Sequence, residues 1–403
     1  MSRRSLKIER IDHERGIDDW LAVPARVFAN DPCWVPPLHH IERQRISPRH
    51  NPLFSFGEAA FFVAYRDSQP VGRISAQVNR RHLQQHADQT GQFGFFDCMN
   101  DNEAAQGLVS AAGDWLRDRG MARMRGPFNL SINEDVGLLV SGFDTPPAIL
   151  TSHAAPWTGT LLESCGLVKA IDLLAYRTKP AIMPEPVARL TTLARQSHRI
   201  GLRSFDMTQY ARDVGIVFDI FNDAWRDNWG FVPFADQEID AMVRATRPLM
   251  RGKFGRIVEF DGRPVAMMVV LPDVNSVITS FGGRLWPINW LKLSLAVWRD
   301  QWRTARIPLL GIRQEFRGTA LATSVLAILL SDIIALGRSY QLDWVEFSWI
   351  LETNMAMRKL AELIAGPPCK TFRIYEAQLA CPASGPARQG RSSDNPLRTA
   401  HAL

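Results

Sequence analysis

The chain has 403 residues, 46% of them hydrophobic and 22% charged, with a formal net charge of +6 and a pI near 9.2. That length exceeds one ordinary domain and suits two, each with enough apolar residues for its own core. The five cysteines (Cys33, Cys98, Cys165, Cys369 and Cys381) include no CxxC pair, which argues against a disulfide framework or a zinc site and for a reducing, cytoplasmic setting.

The opening stretch MSRRSLKIERIDHERG has basic residues without an apolar core behind them, so no signal peptide is expected. No apolar run reaches the roughly eighteen residues of a membrane span. In chain order the periodicities then predict a strand over 4–11, a helix over 16–29, a hairpin over 58–79 and a strand over 91–97. A helix over 102–119, a strand over 123–127, a helix over 156–165 and a strand over 168–177 complete this half. KPAIMPEP, from Lys179 to Pro186, carries three prolines and reads as a linker.

The same order then recurs. Strand 199–205, helix 207–227, hairpin 254–281, strand 307–314, helix 317–337, strand 342–349, helix 353–364 and strand 369–377 follow. Two local matches support a duplication. FVAYRDSQPVG from Phe62 parallels RIVEFDGRPVA from Arg256, both an apolar strand, a polar turn and Pro-Val opening the next strand. LLESCGLVK from Leu161 parallels LAELIAGPPCK from Leu360, each a helix end, a Gly stop and a strand. The expected fold is α/β with a mixed sheet flanked by helices, as two tandem domains over 1–180 and 187–380. The tail 381–403, rich in Ser, Pro, Gly and Arg, is expected to be disordered.

One segment carries a recognisable chemistry. In IPLLGIRQEFRGTALATSVLAILL, from Ile307, an apolar strand is followed by Arg317, Gly318, Thr319 and Ala320 and then a long apolar helix. Gly318 lets backbone approach a diphosphate, the first amides of the helix point at it, and Arg317 adds charge. The segment resembles the coenzyme A pyrophosphate loop of the GNAT superfamily (the acyl-CoA N-acyltransferase fold), written Gln/Arg-x-x-Gly-x-Gly/Ala. Gly318 and Ala320 fill the small positions, while Glu315 departs from the first one and leaves Gln314 as the alternative.

The resemblance implies that strand amides from Ile312 through Arg313 to Gln314 hold a thioester carbonyl, and that Asn354 meets the pantetheine arm. The next strand, in LDWVEFSWILETNMAMRKL, places Trp344, Glu346 and Ser348 on one face. Aminolysis of a thioester needs an amine stripped of its proton. Glu346 is the first candidate base and Glu352 the second, with Tyr375 or Tyr340 to protonate the leaving thiolate. The reaction implied uses acyl-CoA as co-substrate and no metal.

The first half replaces the RGTA turn with an acidic stretch, Asp97 to Glu103, which repels phosphate and marks a degenerate copy on the acceptor side. GPFNLSINEDVGLLVSGFD, from Gly126, has no counterpart in the second half; Asn129, Asn133, Glu134 and Asp135 there are candidate acceptor contacts. From Trp286 to Arg306 an insertion spaces Ile288, Leu291, Leu295, Trp298 and Trp302 along a helical face, with Lys292, Arg299, Arg303 and Arg306 beside it. Such a face suits an anionic membrane surface, a lid over a long acyl chain, or packing on the core. The DPCWVPP segment, Asp31 to Pro37, is similar to that of large GNAT-like proteins including bacterial ceramide synthases, which acylate a sphingoid amine. That likeness implies a lipid amine as acceptor.

His13 and Asp18 match an HxxxxD spacing without its companion motifs, and HExxH, GxSxG and GxxxxGK[ST] are absent. Trp225 and Trp229 suit a core better than a pocket. Two other functions stay open at this level: a tRNA-dependent aminoacyl transferase, although nucleic acid is disfavoured by the pyrophosphate turn, and a non-catalytic acyl-CoA-binding protein.

Overall fold

The computed structural model describes residues 5–12, 16–180, 183–248, 250–300 and 302–379; His13 and the tail 381–403 lie outside the described residues. The first half runs β1 (Leu6–Ile11), α1 (Ile17–Val27), α2 (His39–Arg45), α3 (Leu53–Phe56), β2 (Gly57–Arg66), β3 (Gln69–Asn79) and α4 (Arg80–His86). It continues with β4 (Thr90–Cys98), α5 (Asn102–Arg117), β5 (Arg123–Gly126), β6 (Leu138–Ser141), α6 (Thr158–Ser164) and β7 (Val168–Thr178). The second half runs α7 (Glu185–Arg195), β8 (Ile200–Ser204), α8 (Tyr210–Trp225), α9 (Asp236–Thr246), β9 (Gly255–Phe260), β10 (Arg263–Pro272) and α10 (Asn275–Ile278). Then come α11 (Asn289–Trp298), β11 (Thr304–Ile312), α12 (Ala320–Ser339), β12 (Trp344–Leu351), α13 (Met355–Ala365) and β13 (Lys370–Gln378).

Among the described residues all thirteen strands join one mixed sheet in the order β1-β2-β3-β4-β5-β13-β7-β12-β11-β10-β9-β8, with β6 added on β13. Read from either end, each half contributes its first five long strands in sequence and then receives the last strand of the other. β13 pairs with β5, β7 pairs with β12, and the two exchanged strands lie antiparallel at the centre. The exchange satisfies the backbone groups of both halves in one continuous ladder and buries what would otherwise be two sheet edges. The strands of the two halves thus interlock in space across the turn near residue 180.

The predicted elements form, with three adjustments, one being the helical face read over Trp286–Arg306: the helix ends at Trp298, Trp302 joins the core and Arg306 lies on β11. The second strand of the second hairpin stops at Pro272, because Asp273 turns the chain: its carboxylate accepts the Asn275 amide at 3.0 Å and its own amide bonds to Thr304 O. Helix α7 begins at Glu185, inside the stretch read as a linker, with proline tolerated in the first turn where no amide partner is needed. Four apolar clusters form among the described residues, a third packing α1 on β2 and β4 and a small fourth lying around Ile278 and Phe281, and the two largest flank the sheet. One centres on β9 to β12 with α8 and α12; the other on β2 to β5 with α5 and the end of β13. Among the described residues α12 alone is long and apolar enough to cross a membrane. It is a core helix here, with Val325, Leu329 and Ile333 buried.

Candidate active site

Strands β11 and β12 are parallel and pair only from Thr304–Trp344 to Ile307–Phe347. Beyond that point they diverge, and no strand fills the gap between Pro308–Ile312 and Ser348–Leu351 among the described residues. A crevice at the carboxyl ends of two parallel strands is where open α/β sheets bind ligands. On β11, Arg313 N donates to Val265 O of β10. By alternation, the amides of Ile312 and Leu310 point the other way, into the fork. The Arg313 and Gln314 amides are both engaged: Gln314 N donates to Asp223 at 2.7 Å and its side chain to Asp227 at 2.7 Å. Of the three predicted carbonyl-binding amides, Ile312 is the one directed at the gap.

After β11 the chain makes a short 3₁₀ turn over Gln314–Phe316 and enters α12 through Gly318, whose φ of 74° is left-handed. A side chain there would meet nothing within 4 Å, so open space lies beside the turn. Thr319 caps Ala322 N at 3.3 Å. The amides of Gly318, Ala320 and Leu321 donate to no acceptor among the described residues, and Arg317 through Ala320 are exposed. The Arg317 guanidinium reaches the Ala224 carbonyl at the end of α8, and Arg313 pairs with Asp219. Asn354, at the end of β12, caps α13 through Met357 N at 3.2 Å. It thus stands on the same edge of the sheet as the RGTA turn.

At the base of the fork sits a buried polar cluster. Glu346 is fully buried; one oxygen accepts Arg177 Nε at 2.9 Å and the other Ser348 Oγ at 2.8 Å. Arg306, directly across from Glu346 in the ladder, donates Nε to Ser348 Oγ at 2.9 Å and its other nitrogens to the Ile149, Leu150 and Ser348 carbonyls. Burial holds its pKa down at about 10 against the pull of Glu346. Asp273, also buried, is pushed up to about 6 by desolvation, with Glu346 adding to the rise. Arg177 and Lys370 hold the Pro146, Gly142 and Thr145 carbonyls. Two buried cations, Arg306 and Lys370, and the half-buried Arg177 therefore pin residues 142–150 of the first half over the fork of the second.

The remaining predicted residues lie elsewhere. Glu352 joins an ion cluster with Lys169 at 2.7 Å and accepts Asp172 N. Tyr375 is carried into the first half by the strand exchange, where its hydroxyl donates to Glu163 at 3.1 Å; burial first, then Glu163, raise its pKa to about 12. Its counterpart beside the second fork is Tyr176, which faces Phe347 on β12 as Tyr375 faces Gly126 on β5. The repeated strands contain both tyrosines, but only the exchange assigns them to opposite halves. Tyr340 caps the far end of α12, about 30 Å from the turn for a twenty-residue helix.

Asn129 accepts Phe95 N at 2.7 Å, and Glu134 accepts Arg45 at 2.8 Å and Asn51 at 2.9 Å. Asn133 reaches Glu238 of α9 at 3.4 Å. All three hold the 127–135 loop in place within the first half or against α9.

The tandem, strand-exchanged sheet with one open fork defines a protein of the GNAT type. The fold matches a tandem GNAT protein of the clavulanic acid pathway (TM-score 0.54, 12% identity, 93% of this chain and 99% of that one). It also matches the GCN5-related glucosamine N-acetyltransferase region of a fungal multi-domain β-N-acetylglucosaminidase (TM-score 0.53, 11% identity, 94% of this chain and 38% of that one). No protein-family model matches. In sequence the chain is 36% identical over 362 residues to a bacterial ceramide synthase of Caulobacter vibrioides, spanning 89% of this chain and 94% of the relative. It is 34% identical over 360 residues to Protein YghO of Escherichia coli, spanning 89% and 92%. The chain belongs to the family of these two proteins and has the tandem GNAT fold.

Proposed function

We propose that the second half binds an acyl-CoA and transfers its acyl group to the nitrogen of a lipid amine. The observation that carries this is the turn from Arg317 to Leu321: unpaired amides, open space at Gly318 and a helix N-terminus, all at the mouth of a strand fork. These features fit a diphosphate. The relative named a ceramide synthase supports an amine of the long-chain lipid class, since a ceramide is the amide of such an amine. Bound there, the thioester supplies the activated acyl group. Ile312 N is aimed at the place where its carbonyl oxygen would gain charge. Glu346 and Ser348 form the proton path: as the amine nitrogen bonds to the thioester carbon and the C–S bond breaks, the amine proton passes to Ser348 Oγ while the hydroxyl proton passes to Glu346, and coenzyme A leaves as its thiolate. The first half supplies the 142–150 wall and no second cofactor site. The two ends of the tandem, 1–180 and 187–380, thus serve as acceptor side and donor side.

The test uses Ala320→Glu. A carboxylate at the first turn of α12 suits the helix dipole and leaves the fold intact, yet it repels a diphosphate. The expected outcome is an unchanged melting temperature without ligand and loss of the thermal shift given by palmitoyl-CoA, with transfer to sphinganine abolished. Stabilisation of the wild type by tRNA alone, with none from palmitoyl-CoA, would overturn the proposal.

A further inference from the structure

We propose that α11 and the turn before it form a docking surface for an anionic lipid bilayer. The helix packs inward through a narrow strip: Ala296 is buried, while Leu293 and Val297 lean on the apolar clusters around Ile278 and Phe281 and around Leu271 and Trp302. Its outer side is apolar as well. Ile288, Leu291 and Leu295 are exposed, and Trp286 and Trp298, one near each end, expose 69% and 77% of their surface. A contiguous group of this kind on one short helix marks an interaction site rather than ordinary surface.

Its charge selects the partner. Between Val274 and Arg299 the sequence has no Asp or Glu, and its cations are Arg284, Lys292 and Arg299. All three are exposed, and among the described residues no carboxylate pairs with them. A helix lying flat with Leu and Trp on one side and unneutralised Lys and Arg on its flanks fits the headgroup region of an anionic leaflet. The surface also borders the fork. Asn275 of α10, against which α11 packs, holds Pro147 O at 2.9 Å, and Leu150 in the same pinned segment is exposed while its carbonyl rests on Arg306. A lipid leaving the bilayer at α11 thus meets the wall of the fork first. Docking stands on exposure and charge alone; its purpose, delivery of a lipid acceptor, rests on the function proposed above.

Flotation of the full chain with phosphatidylcholine vesicles, with and without phosphatidylglycerol, tests the surface without any acyl donor. Binding is expected to the anionic vesicles and to fall with salt. Lys292→Glu with Arg299→Glu should weaken it roughly tenfold or more, at about one charge contact per residue. Trp286→Ser with Trp298→Ser should abolish retention at high salt while leaving the melting temperature unchanged. Ala320→Glu should float like the wild type, which separates failure of docking from failure of the acyl-CoA site. The proposal is overturned if the wild type does not float with anionic vesicles, or if the tryptophan pair floats undiminished. It is equally overturned if light scattering shows a dimer that the tryptophan substitutions split, because the surface would then belong to a second copy of the chain.

Discussion

The two halves place the same strand–turn–helix at the same point of the sheet and finish it in opposite ways. In the second half, β11 and β12 separate and leave a fork that ends at unpaired helix amides. In the first, β4 and β5 pair only over Thr90–Gln92 and Arg123–Arg125, and the chain's own next segment enters the gap. Phe128 N donates to Phe93 O at 2.7 Å, Asn129 caps Phe95 N, and Gln77 donates to Phe128 O at 2.6 Å. Gly94 makes this possible, since a Cβ there would lie 2.0 Å from Phe128 O. The helix start is capped in both halves, by the Asp101 carboxylate in the first and by the Thr319 hydroxyl in the second. Asp101 accepts Ala104 N at 3.1 Å and pairs with Arg66 at 2.7 Å. Burial opposes its ionisation, but the Arg66 and backbone hydrogen bonds outweigh that and hold its pKa below the usual range. A carboxylate thus stands where the second half has the Thr319 hydroxyl.

The polarity of the fork base is also reversed. Arg125 on β5 faces Glu376 of β13, at 2.9 Å, where Glu346 on β12 faces Arg177 of β7. Gln92 stands where the second half has Arg306, and Asn79 where it has Asp273, by the ladder registers. The second fork therefore gathers charges that the first holds as neutral groups.

Perturbing these matched positions breaks or sharpens the contrast. The largest effect is expected for Glu346→Gln, which leaves Arg177 and Arg306 without their buried carboxylate and should cost about 3–5 kcal/mol in denaturant unfolding. Arg125→Gln, at the more open mirror site, should cost far less; equal losses would show that the two pairs are equivalent. Gly94→Ala follows, at about 3 kcal/mol from the backbone clash with Phe128. Gly318→Ala has room for its methyl group and should cost only about 1 kcal/mol of left-handed strain.

Asp273→Asn makes the second half resemble the first and carries a pH signature. The folded carboxyl titrates near 6, above its ordinary 3.8, so the folded state binds the extra proton between those values. Its stabilisation of the wild type is complete below that window and is lost as pH rises through about 6. The variant should therefore gain on the wild type across pH 4–6, by roughly 3 kcal/mol at neutral pH. A flat difference between the two melting curves over that range would refute the assignment. The smallest effect is expected for Asp101→Ala, about 1 kcal/mol for a lost helix cap. Calorimetry should still find one coenzyme A site per chain; a second site would mean that the cap, and not the filled fork, closes the first half.

Much of this was legible in sequence because it is local. Strand and helix periods and the turn at Gly318 depend on neighbours a few residues apart, and most elements formed close to their expected bounds. The exposed face of α11 was visible as a pattern, but whether it faced the core depended on what packed against it. Glu346 and Ser348 were placed on one face by alternation, whereas their partners Arg177 and Arg306 come from strands far away in the chain. Asn129 and Glu134 drew notice as polar groups in an unmatched loop; their partners, Phe95 and Arg45, lie more than thirty residues off and convert them from candidate contacts into struts.

The amino-acid order by itself determined the α/β elements and their recurring order, and it marked the Arg317–Ala320 turn as the one proposed for a diphosphate, since hydrophobic period, turn chemistry and helix-end charge are all short-range. Tertiary structure alone decided that the copies trade their last strands, that Tyr176 rather than Tyr375 stands beside the second fork, and that the first fork is filled. Those outcomes follow from pairing of backbone groups between distant strands, and no local preference encodes which distant strand an edge will accept.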